Sequence, residues 1–327
     1  MDPLERKRIG KTDLTVTRLG FGGAPLGGLF TDVETRTAVQ TVRSAYDLGI
    51  RFFDTAPLYG HGKSETYYGE ALGGVPRDSF VLSTKVGRVL DPVERMDDTD
   101  IYVNLPPLKA VFDFSRDGVL RSIEESLKRL NMDRIDILLI HDPDDHYEQA
   151  IGEAYPTLAD LRSQGVIKAI GAGMNQWQMP ARFAREGDFD CFLLAGRYTL
   201  LDQTGLAELL PICEQKQISI ILGGPYNSGI LASDLGPTAT FNYQVAPPKL
   251  LDKARKIKAV CDRHGVPLKA AALQFGLAHP AVAASIPGAR SASEVTENVQ
   301  MASFDIPAAL WDELRVEKLI PQEAPTP

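Results

Sequence analysis

Short apolar runs recur along the whole chain, beginning near Leu19, Phe52, Phe80, Ile135, Ala169, Cys191, Ser219 and Ala283. Runs of this length, bounded by turn residues, read as buried strands. The stretches between them carry apolar residues at helical spacing, which predicts helices over 35–48, 64–72, 118–130, 155–164, 180–186, 206–216, 250–264 and 293–302. In 119–130, Val119, Ile123, Leu127 and Leu130 share one face, while Glu124, Glu125, Lys128 and Arg129 share the other. Strand and helix alternating without a composition break predict parallel β/α units. Eight such units in one uninterrupted domain over 1–327 predict an α/β fold of the closed (β/α)₈ TIM-barrel kind.

Two connections exceed the usual spacing between runs. The excess sits in 89–115 and 225–248, both rich in Pro, Asp and aromatic residues. On a barrel, long loops after strands overhang the face where a site is built, so both are expected to wall or cover it. Ahead of the first run, 7–9 and 14–17 around 10–13 read as a hairpin that can plug the opposite end. The tail from about residue 318, ending in Pro321–Pro327, is expected to be disordered.

The chain of 327 residues has 35 Lys and Arg against 43 Asp and Glu, a net charge of −8. That balance argues against nucleic acid or an anionic membrane as partner, and leaves room for a local basic patch toward one anionic cofactor; the oligomeric state stays open. Cys191, Cys213 and Cys261 form no Cys-x-x-Cys pair, and the expected state is reduced, packed thiols in a cytoplasmic protein. The N-terminus has no apolar stretch behind its charges, so no secretory signal is expected. The uncharged stretch between Lys269 and Arg290 is interrupted by Gln274, His279-Pro280 and Pro287, and reads as a helix, a turn and a strand rather than a membrane span. Asp142, Asp144, Asp145 and His146 form a dense cluster, but neighbouring residues on a Pro-containing turn rarely converge on one ion, so no metal is expected. Gly20-x-Gly22 opens like a dinucleotide fingerprint, yet Pro25 replaces the third glycine.

Polar residues that end apolar strands carry the candidate chemistry, because strand ends converge on one side of a barrel. Asp54 ends one run, Lys85 the next and His141 the one after, and Tyr59 lies five residues beyond Asp54 over the same rim. Singly, each has an ordinary alternative: a helix cap for the Asp, a hydrogen-bonded packing residue for the His. Together they form a proton-transfer set. An ammonium beside a phenol favours phenolate, a carboxylate holds the ammonium in place, and an imidazole can orient a substrate oxygen.

With these residues in place, the chain resembles the aldo-keto reductase family. The resemblance rests on 54–60 (Asp-Thr-Ala-Pro-Leu-Tyr-Gly) with Ser64-Glu65, then Ser83-Thr84-Lys85, Arg134-Ile135-Asp136, His141-Asp142, Ile286-Pro287-Gly288 and Glu297-Asn298. It implies a barrel that carries NAD or NADP and interconverts carbonyls and alcohols by hydride transfer. By position, Tyr59 would be the acid/base, Lys85 its pKa-lowering partner, Asp54 the partner of Lys85, and His141 the residue orienting the carbonyl. Asn175 would hold the nicotinamide carboxamide, although Met174 stands where many relatives have Ser. Tyr226, Ser228, Gly229 and Leu231, in the stretch 224–231, would follow the pyrophosphate. Gly288, Arg290, Glu294 and Asn298 would surround the adenosine end.

The resemblance is greatest to members that oxidise aldoses at carbon 1, with pyridoxal oxidation or general aldehyde reduction as alternatives. A regulatory subunit that only binds the cofactor is the reading from a different class, and a Schiff-base role for Lys85 is another. Relatives that prefer NADP carry a Lys-Ser pair after the Ile-Pro and an Arg a few residues later. Here Gly288-Ala289 and Glu294 stand at those positions, which implies NAD as the preferred cofactor; Arg290 argues the other way.

Overall fold

A computed structural model describes residues 2–94 and 101–327. Eight parallel strands form one sheet: β1 (Phe21–Gly22), β2 (Phe52–Asp54), β3 (Val81–Val86), β4 (Ile137–His141), β5 (Ala169–Met174), β6 (Cys191–Ala195), β7 (Ser219–Gly223) and β8 (Val282–Ile286). Each strand pairs with its neighbour in sequence order. Bridges Leu19↔Ser285 and Gly22↔Gly288 join the last strand to the first and close the barrel. All eight runs of the sequence pattern are strands, and each of the eight expected helices is present within a few residues of its bounds. A further helix, Ala308–Val316, packs at the C-terminal end.

Strand alternation sorts the side chains. In β2, β3 and β4, the residues Phe52, Val81, Ile137 and Leu139 belong to the cluster inside the barrel, while Phe53, Leu82, Leu138 and Ile140 pack outward against the helices. Continuing the two-residue period puts Asp54, Lys85 and His141 on the inward face at the C-terminal ends of adjacent strands. The same alternation that builds the apolar interior therefore collects three polar residues at one end of it.

The opposite end is plugged by the expected hairpin. Arg6–Arg8 pairs antiparallel with Thr15–Thr17, and Ile9 and Val16 enter the interior cluster. Arg18 fastens it by donating to the Val282 and Leu277 carbonyls. The segment after Lys269 is a helix (Leu268–Leu277), a turn and β8, and no described helix is long and apolar enough to cross a membrane. All three cysteines are buried and unpaired. Burial pushes the Cys213 and Cys261 thiols up to about 12, so they are inert packing groups.

One expectation fails at the C-terminus. The tail from about 318 is ordered against the barrel: Leu319, Ile320 and Ala324 are buried, and Arg315 donates to the Ala324 carbonyl at 3.1 Å and to the Thr326 hydroxyl at 2.8 Å. The Pro-rich composition concealed three apolar contacts that anchor the segment.

Both long loops contain short hairpins. Arg88–Pro92 pairs with Leu108–Phe112 in the first, and Thr240–Phe241 pairs with Gln244–Val245 in the second. Residues 95–100 of the first loop lie outside the described residues.

Candidate active site

At the C-terminal end of the barrel, the Lys85 ammonium donates to Asp54 Oδ2 at 2.8 Å and to the Thr55 carbonyl at 2.8 Å. Ser83 donates to the other Asp54 oxygen at 2.7 Å. The Lys85 and Asp54 side chains are 1% and 2% exposed, so two opposite charges are sealed together and neither is left uncompensated. Burial lifts the Asp54 carboxyl above its usual range, with Lys85 and Ser83 opposing the shift.

Tyr59 lies over this pair. Lys85 Nζ is 4.5 Å from the Tyr59 ring centroid, and the His141 ring meets the same ring edge-on at 5.9 Å. The loop holding Tyr59 is fixed by a close backbone approach. Gly60 has φ +65°, and a Cβ there would fall 2.3 Å from the Gly27 carbonyl oxygen. Tyr59, Lys85, Asp54 and His141 are therefore brought together, as the sequence pattern expects. An ion-paired ammonium sealed at this depth is a poor Schiff-base nucleophile, which argues against that reading of Lys85.

The Tyr59 hydroxyl is pushed well above its ordinary value, first by burial and then by the Asp54 carboxylate. Asp54 in turn holds the Lys85 ammonium 4.5 Å from the ring, where it can offset charge on the phenol oxygen. At rest Tyr59 is a proton donor. His141 is pushed well below its ordinary value by burial and by the Lys85 and Arg88 charges, so its imidazole is neutral. Its Nδ1 is buried and without a partner among the described residues.

The expected cofactor residues line the rim formed by β5, β7 and β8. Asn175, just past β5, is exposed; its side-chain amide reaches Asp142 at 3.4 Å, and its carbonyl accepts from Arg197 at 2.8 Å. After β7, Asn227, Ser228 and Gly229 take positive φ of 48°, 57° and 97° in succession. The Asn227 N–H donates to the Gly224 carbonyl and the Gly229 N–H to the Tyr226 carbonyl, which fixes the turn at the rim. Tyr226 donates to Asn298 Oδ1 at 2.7 Å and so joins this turn to the helix Ala292–Ser303. Gly288 and Arg290 precede that helix, and Arg290 pairs with Glu294 at 3.1 Å.

Leu231 differs from its neighbours in a fully buried side chain, and its N–H, like that of Gly229, donates to the Tyr226 carbonyl. The rim suits a nicotinamide dinucleotide: an amide at its edge, a helix N-terminus for phosphates, and polar side chains beyond.

Further residues support the site beyond the candidates for its chemistry. Glu65, fully buried, accepts from Thr84 and Arg129, each at 2.7 Å, and pins the helix Lys63–Leu72 against β3. Tyr102 of the first long loop lies 6.3 Å from the Tyr59 ring, and Tyr243 of the second lies 6.1 Å from the Phe30 ring. The acidic cluster after His141 disperses. Asp142 meets Arg88, Asp144 accepts from Gln176, and His146 packs on Phe112 with ring centroids 4.7 Å apart.

The model of the Aldo/keto reductase family matches residues 18–316. A D-threo-aldose 1-dehydrogenase of a Pseudomonas species is 41% identical, covering 94% of this chain and 96% of its own. A pyridoxal 4-dehydrogenase of Microbacterium luteolum is 39% identical, covering 97% and 98%. Among solved structures, a glycerol dehydrogenase from Gluconobacter oxydans superimposes with a TM-score of 0.78 at 23% identity, covering 99% of this chain and 97% of its own, which speaks to the fold alone. The chain belongs to the aldo-keto reductase family of NAD(P)-dependent oxidoreductases.

Proposed function

We propose that this enzyme oxidises an aldose at its anomeric carbon, with NAD as the preferred cofactor and Tyr59 as the proton carrier. The observation that carries this reading is the sealed Lys85–Asp54 pair beneath Tyr59, with the unpartnered His141 Nδ1 beside it. The bound nicotinamide supplies the hydride acceptor. Neutral His141 orients the substrate oxygen without adding a charge. Tyr59 takes the hydroxyl proton in oxidation and returns it in reduction. Lys85, fixed by Asp54, compensates the negative charge that passes over the phenol oxygen. Asn175, the 226–229 turn, Gly288, Arg290, Glu294 and Asn298 hold the dinucleotide. The 41% identity to an aldose dehydrogenase supports the substrate, and the three unpaired cysteines support a cytoplasmic location. The direct test is turnover of D-arabinose, L-fucose and pyridoxal with both dinucleotides: oxidation of a sugar is expected, and oxidation of pyridoxal alone would replace the substrate assignment.

The raised phenol sets a pH dependence. Oxidation needs Tyr59 without its proton, and the resting site holds the proton on. For oxidation, kcat/KM is therefore expected to rise about tenfold per pH unit through the alkaline range, while reduction by the same enzyme does not gain. A flat oxidation profile from neutral to strongly alkaline pH would remove Tyr59 from this role.

The preference for NAD rests on Glu294. Arg290, the cation expected near the adenosine end, has its guanidinium 3.1 Å from Glu294 Oε1, and its backbone N–H donates to Oε2 at 2.8 Å. A 2′-phosphate would meet that carboxylate and compete for a cation already engaged, whereas free ribose hydroxyls can donate to it. The expected ratio of kcat/KM for NAD over NADP is above one, and Glu294→Gln should lower it about threefold to tenfold. A wild-type ratio below one contradicts the assignment.

A further inference from the structure

Beside the proton-transfer set lies an ion pair that the mechanism above does not use. Arg88 stands three residues beyond Lys85, and Asp142 immediately follows His141, so both emerge from the adjacent strands that carry catalytic side chains. Arg88 Nη2 is 3.3 Å from Asp142 Oδ2. The guanidinium lies 4.2 Å over the Phe112 ring, which holds it flat, and its Nε is buried with no partner among the described residues. Asp142 sits at φ +43°, a left-handed conformation that Asp tolerates better than most residues, and its Oδ2 is 3.6 Å from His141 Nε2.

A part-buried carboxylate and guanidinium with spare hydrogen-bonding capacity, next to the imidazole that meets the reacting oxygen, form a matched acceptor and donor. An apolar aldehyde gains nothing from them. Two neighbouring hydroxyls satisfy both at once, donating to the carboxylate and accepting from the guanidinium.

Resting on the oxidoreductase reading of this cleft, we propose that Arg88 and Asp142 form a hydroxyl-reading subsite that selects substrates bearing hydroxyls on the carbons next to the reacting one. Polyhydroxylated aldehydes and their cyclic hemiacetals are the substrate class this fits. Removing one hydroxyl from the substrate leaves a hydrogen-bonding position of the pair unfilled, and removing one member of the pair leaves the other charge unpaired. Either change is expected to weaken recognition about tenfold to a hundredfold.

The test compares D-arabinose with 2-deoxy-D-ribose, which is the same sugar without its 2-hydroxyl, and adds reduction of butanal. Wild type, Asp142→Asn and Arg88→Gln are assayed, with melting temperatures confirming that each variant is folded. Wild type should favour arabinose over the deoxy sugar by at least about tenfold. Both variants should bring that preference close to one, mainly by raising the KM for arabinose. Asp142→Asn also alters the contact with Asn175, but Arg88→Gln does not, so a shared effect belongs to hydroxyl recognition. A preference that survives in both variants, or is absent from wild type, overturns the subsite. So does pyridoxal oxidation that exceeds arabinose oxidation and is insensitive to both changes. If wild type reduces butanal but oxidises no sugar, the subsite falls and the oxidoreductase reading stands; if it turns over nothing with either dinucleotide, that reading falls as well.

Discussion

Tyr59→Phe is expected to lower turnover by about 10²–10⁴-fold while leaving dinucleotide affinity within about threefold of wild type. The geometry makes this substitution clean. The ring is held by the Lys85 ammonium on one side, by His141 edge-on at 5.9 Å, and by Tyr102 at 6.3 Å. Phenylalanine keeps every one of those contacts and loses only the hydroxyl. The groups expected to hold the cofactor lie past β5, β7 and β8, on strands other than the one that carries Tyr59. Steady-state turnover, with cofactor affinity read from the fluorescence of the reduced nicotinamide, separates the two effects. A variant with wild-type turnover would show that the proton travels by another route.

Lys85→Met should be severe in two ways. Without the ammonium, Asp54 keeps a buried carboxylate whose remaining side-chain donor is Ser83, and breaking a buried pair costs about 3–5 kcal/mol. Asp54 can escape that cost by taking up a proton. Its carboxyl already lies above the usual range, and losing Lys85 pushes it further in the same direction. The sign of the pH effect follows. A carboxyl raised in the folded state favours folding below its unfolded value and loses that contribution as pH rises through the folded value. Lys85→Met should therefore melt further below wild type at pH 8 than at pH 5. Asp54→Asn combined with Lys85→Met should recover much of the stability but not the activity, which is expected to fall at least about 10²-fold in both proteins. Equal melting of Lys85→Met and wild type across that range would show that the pair is not sealed as described.

The parts of this enzyme that were legible in the sequence are those governed by period. Alternation in Val81–Val86 and Ile137–His141 fixes which side chains face inward, so the convergence of Lys85 and His141 follows once eight β/α units are counted. The helix Arg116–Leu130 could be read from its apolar stripe and is capped by Ser115, which accepts from the Gly118 N–H. What stayed hidden depends on contacts between loops far apart in sequence. Tyr102 reaches Tyr59 from a loop with no period, and Arg88 finds Asp142 across 54 positions. The push on the Tyr59 phenol was hidden in the same way, because its first cause is burial under loops far apart in sequence. The burial of Leu231 was hidden too, because a turn residue that faces the core looks, in sequence, like its exposed neighbours.

If hydride leaves carbon 1 of the sugar while Tyr59 receives the hydroxyl proton, then D-arabinose carrying deuterium at carbon 1 must deliver its label to the nicotinamide. Single-turnover mixing with NAD, followed by mass spectrometry of the recovered cofactor, reads that transfer directly. The expected result is deuterium in the reduced cofactor from wild type, and the same transfer about 10²–10⁴-fold slower in Tyr59→Phe. Label released to water, or label transferred at the wild-type rate without the Tyr59 hydroxyl, would contradict the mechanism.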